Sequence, residues 1–595
     1  MAGSVHRRTR IVGTAAIATA LAAATLVALP APATAAGGGV VISELNYHAV
    51  SDLDTDDFLE LTNTSASAID MSGWSFSAGI TAVLPSGTII APGQRFVLSP
   101  SAASFSALHG FAPDAIYSGK LSNGGEEVTL VDASLAVVDT VTYADAAPWS
   151  PLADGTGPSL ELRDLGFDNT DPDNWGPSAV VGGTPGAVNS LDGTAPLPKV
   201  KNLTSTPARP DPGQAFVVSA QLPADSTATL TYKVMFGADV TIPFRDDAAS
   251  PGGAGDGVYS ATIPGQAAGT LVRYRVRATF LGLAFSGPAG DDTITYSGIV
   301  VKNPAVSSQL PVVEWFMADS VYNDLLANHR FDDVTGPAVF TYGGEVFDNS
   351  AMRVRGNTTR SLAKVSWKIE LPAGHSTTLG GQLPYPLDEF ALQRESDAIA
   401  DMGWYAVRQA GARALTILPV RSQRNGQFWS LGRIMETEDG SWRDAQGVST
   451  WSIYKGDGGS VGKQPSVAAL QDSLWLDKKT RKTEDYTDAW QLSQVIDAPA
   501  SAAQRAWILN NVNVPELINY MAINSVIRHQ DSGWYNWWIA RDTQGSGRWE
   551  MWQWDLNWTF TTPAQDGKGV FLTPDTSNKF TKAMLAYPDF KQMFM

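Results

Sequence analysis

The sequence predicts a multidomain chain in which two β-sandwiches precede an α+β domain. Three observations carry this. At 595 residues and 44% hydrophobic composition, the chain is too long for a single core. From Val40 to about residue 302, short β-branched and aromatic runs alternate with Gly, Pro, Asn and Ser, the pattern of sandwich strands and their turns. Beyond about Ala305, helical periodicity joins the strands.

The chain opens on Arg7, Arg8 and Arg10, an apolar run over 11–29, and the small residues Ala33-Thr34-Ala35. These are the three parts of a secretory signal, so residues 1–35 are expected to be removed and the protein to be secreted or held at the cell surface. No other segment resembles a membrane span. Removing the three leader arginines takes the formal charge from −18 to −21. That balance argues against general nucleic-acid binding, because phosphate neutralisation needs clustered Lys and Arg. There are no cysteines, which excludes disulfides, thiolate nucleophiles and Cys-ligated zinc.

The first sandwich is expected over 40–189, with strand signals such as Gly73-Trp74-Ser75-Phe76 and Gln94-Arg95-Phe96-Val97-Leu98. Four motifs occur in order within it: Ile42-Ser43-Glu44-Leu45-Asn46-Tyr47, Asp57-Phe58-Leu59-Glu60-Leu61-Thr62-Asn63, Asp70-Met71-Ser72-Gly73-Trp74, and the closing Gly183-Thr184-Pro185-Gly186-Ala187-Val188-Asn189. Together they resemble the lamin-tail domain, a non-catalytic module, and the resemblance implies adhesion or targeting. Asp52, Asp54, Asp56 and Asp57 invite a calcium loop. An EF-hand starting at Asp52 needs Gly at 57 and Glu at 63, where this chain has Asp57 and Asn63, so a solvated acidic loop is expected. A Pro- and Gly-containing linker follows over 190–200. Strand runs at 215–220, 228–234 and 270–278 then predict an immunoglobulin- or fibronectin-like sandwich over 197–302, read as a rigid spacer.

The third domain is expected over 305–595, with helices at 406–414 and 514–528. In the second helix Pro515 suits a first turn, and Leu517, Ile518, Met521, Ala522 and Val526 form an apolar side. Near residue 364, period-two alternation puts Trp367, Ile369 and Leu371 on one strand face and Lys364, Ser366, Lys368 and Glu370 on the other. A strand lysine aimed into a cleft is how protein kinases neutralise nucleotide phosphates, although a lone lysine is more simply a solvated strand face. Arg355-Gly356-Asn357 offers a guanidinium fork beside a residue that permits close backbone approach, suiting a phosphate clamp or an ordinary turn. No G-x-G-x-x-G loop precedes Lys364.

Residues 528–560 read as a hairpin. Runs at 536–541 and 548–554 flank a polar turn, Asp542-Thr543-Gln544-Gly545-Ser546-Gly547. With the turn near Gly545, Asn536 lies nine positions before it and Asp555 ten after, so antiparallel pairing brings both to one end of the ladder, with Asp531 just upstream. Two carboxylates and an amide so gathered can hold a divalent cation and orient a nucleophile. Asp531 and Asn536 also have the five-residue spacing of H-R-D-x-x-x-x-N. Most of the tryptophans here, among them Trp534, Trp537, Trp538, Trp549, Trp552, Trp554 and Trp558, read as packing residues.

Four segments in order over about 210 residues resemble the CotH family, the spore-coat-protein-H-like kinases. They are Met352-Arg353-Val354-Arg355-Gly356-Asn357-Thr358-Thr359-Arg360 with the Lys364 strand; Arg424-Asn425-Gly426-Gln427-Phe428-Trp429 running to Glu436; His529-Gln530-Asp531 with Asn536; and Trp554-Asp555-Leu556-Asn557-Trp558-Thr559-Phe560. The resemblance implies an atypical protein-kinase-like fold and an ATP-dependent phosphotransferase using Mg²⁺ or Mn²⁺, acting on Ser, Thr or another hydroxyl of a surface or secreted protein. It implies Lys364 on phosphate, with Lys368 as same-face alternative and Arg355 beside them. Glu436 would bind nucleotide or pair with the lysine, Asp531 would be the catalytic base, and Asn536 and Asp555 would hold the metal.

Departures stand beside these matches: Gln530 replaces the arginine of His-Arg-Asp, Asn557 stands where a second aspartate is usual, and Ser430 and Gly432 depart before Glu436. They keep open a non-catalytic wall-binding or adhesion protein with a pseudokinase domain, whose partner would be a cell-surface polymer. A glycosidase built on Asp531 and Asp555 has no further support. A monomer is expected. No domain-closing element is legible before Met595, the ending expected of a fragment.

Overall fold

The computed structural model describes residues 39–595, except 195, 197, 357, 395–397, 458–460, 474, 483, 531, 533–534, 544 and 561–577. The signal segment and Asp531 therefore lie outside the described residues. Among those described, no helix is long and apolar enough to cross a membrane.

The first module is a sandwich. A six-stranded sheet, in the order Trp175–Val181, Pro158–Leu162, Val40–Asn46, Phe58–Asn63, Arg95–Ser99 and Ala115–Ile116, packs on a three-stranded sheet of Ser75–Ala78, Gly125–Val131 and Val137–Ala144. Ile42, Leu45, Leu59 and Leu160 point between the sheets and meet Leu130 and Val141 in one core. The alternate residues face outward, yet Glu44, Glu60 and Glu161 are wholly buried. They stand in register across three neighbouring strands, Glu161 opposite Glu44 and Glu44 opposite Glu60. The closing motif is what covers them. Thr184 N donates to Glu44 Oε1 at 2.7 Å, Gly186 N to Glu60 Oε2 at 2.7 Å, and Ser190 Oγ to Glu161 Oε2 at 2.6 Å. Gly183 sits in the left-handed region at φ 78, and a side chain there would strike the Glu44 carboxylate.

The acidic loop is less solvated than its composition predicts. A 3₁₀ turn at Asp54–Asp56 folds it back, leaving Asp52 and Asp54 exposed but burying Asp56 and Asp57, where Asp57 Oδ1 accepts from Ala49 N at 3.3 Å. Burial first, and then Asp54, push the Asp57 carboxyl well above its usual range.

The second module pairs a three-stranded sheet (Lys201–Thr206, Phe216–Gln221, Val258–Ile263) with a five-stranded one centred on Thr227–Val234 and Leu271–Phe280. Phe216, Val218, Leu230, Val272 and Val276 share its core.

The third region opens on a closed barrel that the sequence reading did not anticipate. Its strands run Val312–Phe316, Gly336–Tyr342, Glu345–Arg355, Ser366–Glu370, Glu389–Gln393, Gln427–Glu436 and Ile417–Arg424, and the last pairs in parallel with the first. Inward residues such as Trp315, Phe340, Val354, Trp367, Ile369, Phe390 and Ile434 fill it. A four-stranded sheet follows, ordered Leu476–Lys478, Ser452–Asp457, Tyr535–Arg541 and Trp549–Gln553. Helices Thr487–Ile496, Ala502–Asn511, Val514–Val526, Lys579–Leu585 and Pro588–Phe594 share a core with it through Leu492, Ile508, Leu517, Met584 and Phe590.

Between barrel and sheet lies the helix Ile399–Gln409, which begins seven residues before the helix expected at 406–414. Gly403 in its middle lowers the local helix signal by about 1 kcal/mol. Tertiary packing overrides that loss, since a Cβ at 403 would lie 3.0 Å from Leu556 Cβ.

Candidate active site

The hairpin forms with the expected register. Arg541 lies opposite Trp549 and Trp537 opposite Gln553. The turn is tied by Asp542, whose carboxylate accepts from Gly545 N at 2.8 Å and Ser546 N at 2.6 Å. Trp554 N donates to Asn536 O at 3.0 Å, which places Asn536 and Asp555 at the same end of the ladder.

Two further main-chain bonds define that end. Gln530 N donates to Trp558 O at 3.1 Å, and Phe560 N to Ile527 O at 2.6 Å. The segment entering the hairpin and the segment leaving it are thus clamped side by side. Arg528, Asn536, Asp555 and Phe560 all adopt left-handed backbone, with φ of 53, 65, 47 and 54. Asn and Asp tolerate this conformation, but Arg and Phe do so at roughly 1–2 kcal/mol each. Strain concentrated in two adjoining loops is characteristic of functional sites. His529 is fully buried beneath them, and desolvation, opposed by the Asp555 backbone, holds it down at about 4. It is neutral at physiological pH and supports the loops from below. Of the tryptophans, Trp537, Trp538, Trp549 and Trp552 are core residues as expected, while Trp558 is 59% exposed at the rim and Trp534 lies outside the described residues.

On the barrel, Lys364 precedes the strand Ser366–Glu370 rather than lying on it. Its ammonium donates to Trp429 O and sits 4.8 Å from the centre of the Trp429 ring. Lys368 is on the strand, facing outward, and bridges Glu389 at 2.5 Å and Glu370 at 3.2 Å. Burial opposes its charge, but the bonds and charges of those carboxylates outweigh burial and raise its pKa. Glu436 is wholly buried at the far end of the Trp429 strand, accepting from the Tyr385 hydroxyl and from Thr416 N at 2.8 Å. Burial raises its pKa. Trp429 and Glu436 are seven residues apart on one strand, about 23 Å. Of the two roles open to Glu436, nucleotide binding and pairing with the lysine, this separation from the Trp429 carbonyl that holds Lys364 disfavours the second.

Arg355 ends the strand Glu345–Arg355 opposite Ser366, and Gly356 beyond it is left-handed at φ 113. Arg360 ties this turn down, donating to Gly356 O at 2.5 Å and Asp333 Oδ1 at 2.6 Å, beside a cleft of about 500 Å³ lined by Phe331, Asp332, Asp333, Gly356 and Arg360. Asn357 is outside the described residues.

Sequence reasoning passed over Arg433. It lies opposite Gln393 on the outer face of the barrel, 1% exposed, with Nη2 3.6 Å from Asp401 Oδ2 in the first turn of Ile399–Gln409. Through Gly403 the same helix touches Leu556, the neighbour of Asp555. A lone arginine between Leu431 and Met435, on an otherwise apolar strand face, was the available signal. Among the described residues, no three His, Cys, Asp or Glu side chains gather to hold a metal. The amide oxygen of Asn536 and the carboxylate of Asp555 nevertheless suit Mg²⁺, which keeps several waters and takes only one or two carboxylates from a protein.

Comparison with known proteins finds two matching family models. Residues 33–145 match the family described as Lamin Tail Domain, and residues 352–594 the family described as CotH kinase protein. No curated protein matches the chain. Among solved structures, similarity extends to the Br derivative of BhCBM56 (11% identity, 15% of this chain, 80% of that one, TM-score 0.11). It extends also to purple acid phosphatase PPD1 from yellow lupin (Lupinus luteus) seeds (9% identity, 44% of this chain, 40% of that one, TM-score 0.15). A third is the twitchin kinase region of C. elegans (10% identity, 62% of this chain, 54% of that one, TM-score 0.13). The chain thus spans less than two thirds of the latter two. In sequence order, then, the chain carries a lamin tail domain and a CotH kinase domain.

Proposed function

We propose that this protein is an exported phosphotransferase that moves the γ-phosphoryl group of ATP, with Mg²⁺ or Mn²⁺, to a hydroxyl of a surface or secreted protein. The observation that carries this reading is the clamped, strained pair of loops that sets Asn536 and Asp555 together at one end of the hairpin. Asp531, five residues before Asn536, accepts the proton of the incoming hydroxyl. The hydroxyl oxygen forms the new bond to phosphorus as the bond to ADP breaks. Asn536 and Asp555 hold the divalent cation, which neutralises phosphate charge. Lys364 reaches phosphate by leaving its acceptor on Trp429, with Arg355 and the paired Lys368 as further cations on the barrel. Glu436, buried and bonded to Tyr385 and Thr416, supports the barrel end. Export is inferred from the leader over 1–35.

One observation favours the non-catalytic alternative. Lys364 already has a carbonyl partner and an aromatic face in Trp429, as expected of a pseudokinase whose lysine has become structural. The two readings separate on Lys364→Met. In an active enzyme the loss of a charge-assisted phosphate contact, roughly 1.5–3 kcal/mol, should weaken ATP binding by about ten- to a hundredfold, measured calorimetrically on the full chain. Unchanged binding would remove Lys364 from the nucleotide site. The function itself is tested by transfer of labelled phosphate from ATP to a Ser/Thr-containing protein by the full chain with Mn²⁺ or Mg²⁺. Activity lost on chelation and restored by metal is expected; no transfer with any divalent cation would sink the assignment.

A further inference from the structure

The turn Asn425–Gly426 joins two barrel strands, and both residues are left-handed, with φ of 50 and 75. Asn425 fixes the turn from the barrel side, its Oδ1 accepting from Met317 N at 3.0 Å and its Nδ2 donating to Met317 O at 2.9 Å. Gly426 faces the other way. A Cβ there would lie 2.5 Å from Gly269 O in the second sandwich, and Asn303 Nδ2 donates to Gly426 O at 3.3 Å. Only glycine permits backbone to meet backbone this closely.

The contact belongs to a continuous surface. Leu271 and Val300 of the sandwich and Phe316 and Val339 of the barrel form one apolar cluster, none more than 3% exposed, with Met235 and Val346 at its edge. Beside it, Arg273 Nη1 and Asp348 Oδ1 meet at 2.6 Å across the seam, their side chains 12% and 2% exposed. Arg273 also donates to Met235 O at 2.8 Å. Farther along, Asn349 Nδ2 donates to Thr293 O and to Thr295 Oγ1, both at 2.8 Å. Interfaces between independently moving domains are polar and adjustable. A buried ion pair is tolerated only where its geometry is fixed, and four buried apolar side chains contributed from two sides make a shared core.

We propose that the 201–300 sandwich is the barrel's resident partner, and that the smallest unit of this chain able to fold and present the candidate site begins near Lys201. The CotH match begins at Met352, inside the strand Glu345–Arg355, so it leaves out two barrel strands and this partner. The seam also reaches the site. Gly426 closes the turn that leads into the strand Gln427–Glu436, three residues before Trp429, so sandwich docking bears on the position of the carbonyl that receives Lys364.

Hydrogen exchange of the full chain in rising guanidinium tests this without any substitution. Amides of Phe216–Gln221 and Leu271–Phe280 should lose protection at the same midpoint as those of Gly336–Tyr342 and Ser366–Glu370. Separate midpoints for the two sets would overturn the proposal. Asp348→Ala removes one partner of the seam and should lower both midpoints by the same increment. A shift confined to either set would equally overturn it. Neither outcome depends on phosphoryl transfer, so this proposal and the proposed function can fail independently.

Discussion

Substitution of Asp555 is expected to reduce phosphoryl transfer by a hundredfold to a thousandfold, on the order of what removal of one preorganised electrostatic group costs an enzyme. Two variants separate charge from backbone. Asp555 is left-handed at φ 47, a conformation that alanine adopts at a cost of roughly 1–2 kcal/mol and that asparagine tolerates. Asp555→Asn therefore removes the charge while keeping the turn into Leu556, whereas Asp555→Ala also stresses the turn. Equal losses of activity in both, with an unshifted melting temperature in the asparagine variant, would identify the carboxylate as the essential group. Activity retained by Asp555→Asn would assign the residue a purely conformational task.

The second large effect concerns the lamin tail domain and pH. Burial first, and then neighbouring Glu60, push Glu44 up to about 8 from an unfolded value of 4.5, against the bonds from Ser159 and Thr184. Burial pushes Glu60 up to about 7, against Gly186, Ser43 and Arg95. The other groups facing this row are Glu161, to which Thr184 and Ser190 donate, and His109, whose ring packs on Phe58. A carboxyl whose pKa is raised by folding holds its proton more tightly in the folded state. Its favourable contribution is complete below about 4.5 and is lost as pH rises through 7 and 8. For Glu44 alone the loss approaches about 5 kcal/mol. The melting temperature of this domain should fall between about pH 5 and 8 and level off above that, with exchange accelerating first at Thr184, Gly186 and Leu191. Glu44→Gln keeps an acceptor for Thr184 and should flatten the fall; a pH-independent wild-type domain would contradict the assignment.

How much of this was legible in the sequence follows from the range of the interactions concerned. The hairpin at 528–560 could be read because strand alternation, a Gly-containing turn and a short loop are local, and a short loop fixes register. Pairing of Asn536 with the Asp555 end followed from counting. The barrel could not be read, because closing it needs Val312–Phe316 to pair in parallel with Ile417–Arg424, about a hundred residues away. Alternation showed which way Trp367 and Lys368 point but not what they meet. Lys364 was placed on a strand that starts two residues later. The order of motifs leaves Glu436 open between nucleotide binding and pairing with a lysine, and only the strand between Trp429 and Glu436 shows how far it lies from the lysine's acceptor. Arg433 went unnoticed because its importance comes from the helix Ile399–Gln409, and Gly403 hides where that helix begins. The burial of Glu44, Glu60 and Glu161 likewise depends on a segment more than twenty residues beyond the last of them, a contact that composition cannot announce.

The central claim, that the loops clamped at Asn536 and Asp555 form a nucleotide–metal site, is tested most directly by calorimetric titration of the full chain with Mn²⁺ and ATP, for wild type and Asp555→Asn. The account predicts metal-dependent nucleotide binding by the wild type and its loss in the variant. Binding of equal strength by both proteins, or by neither, would contradict it.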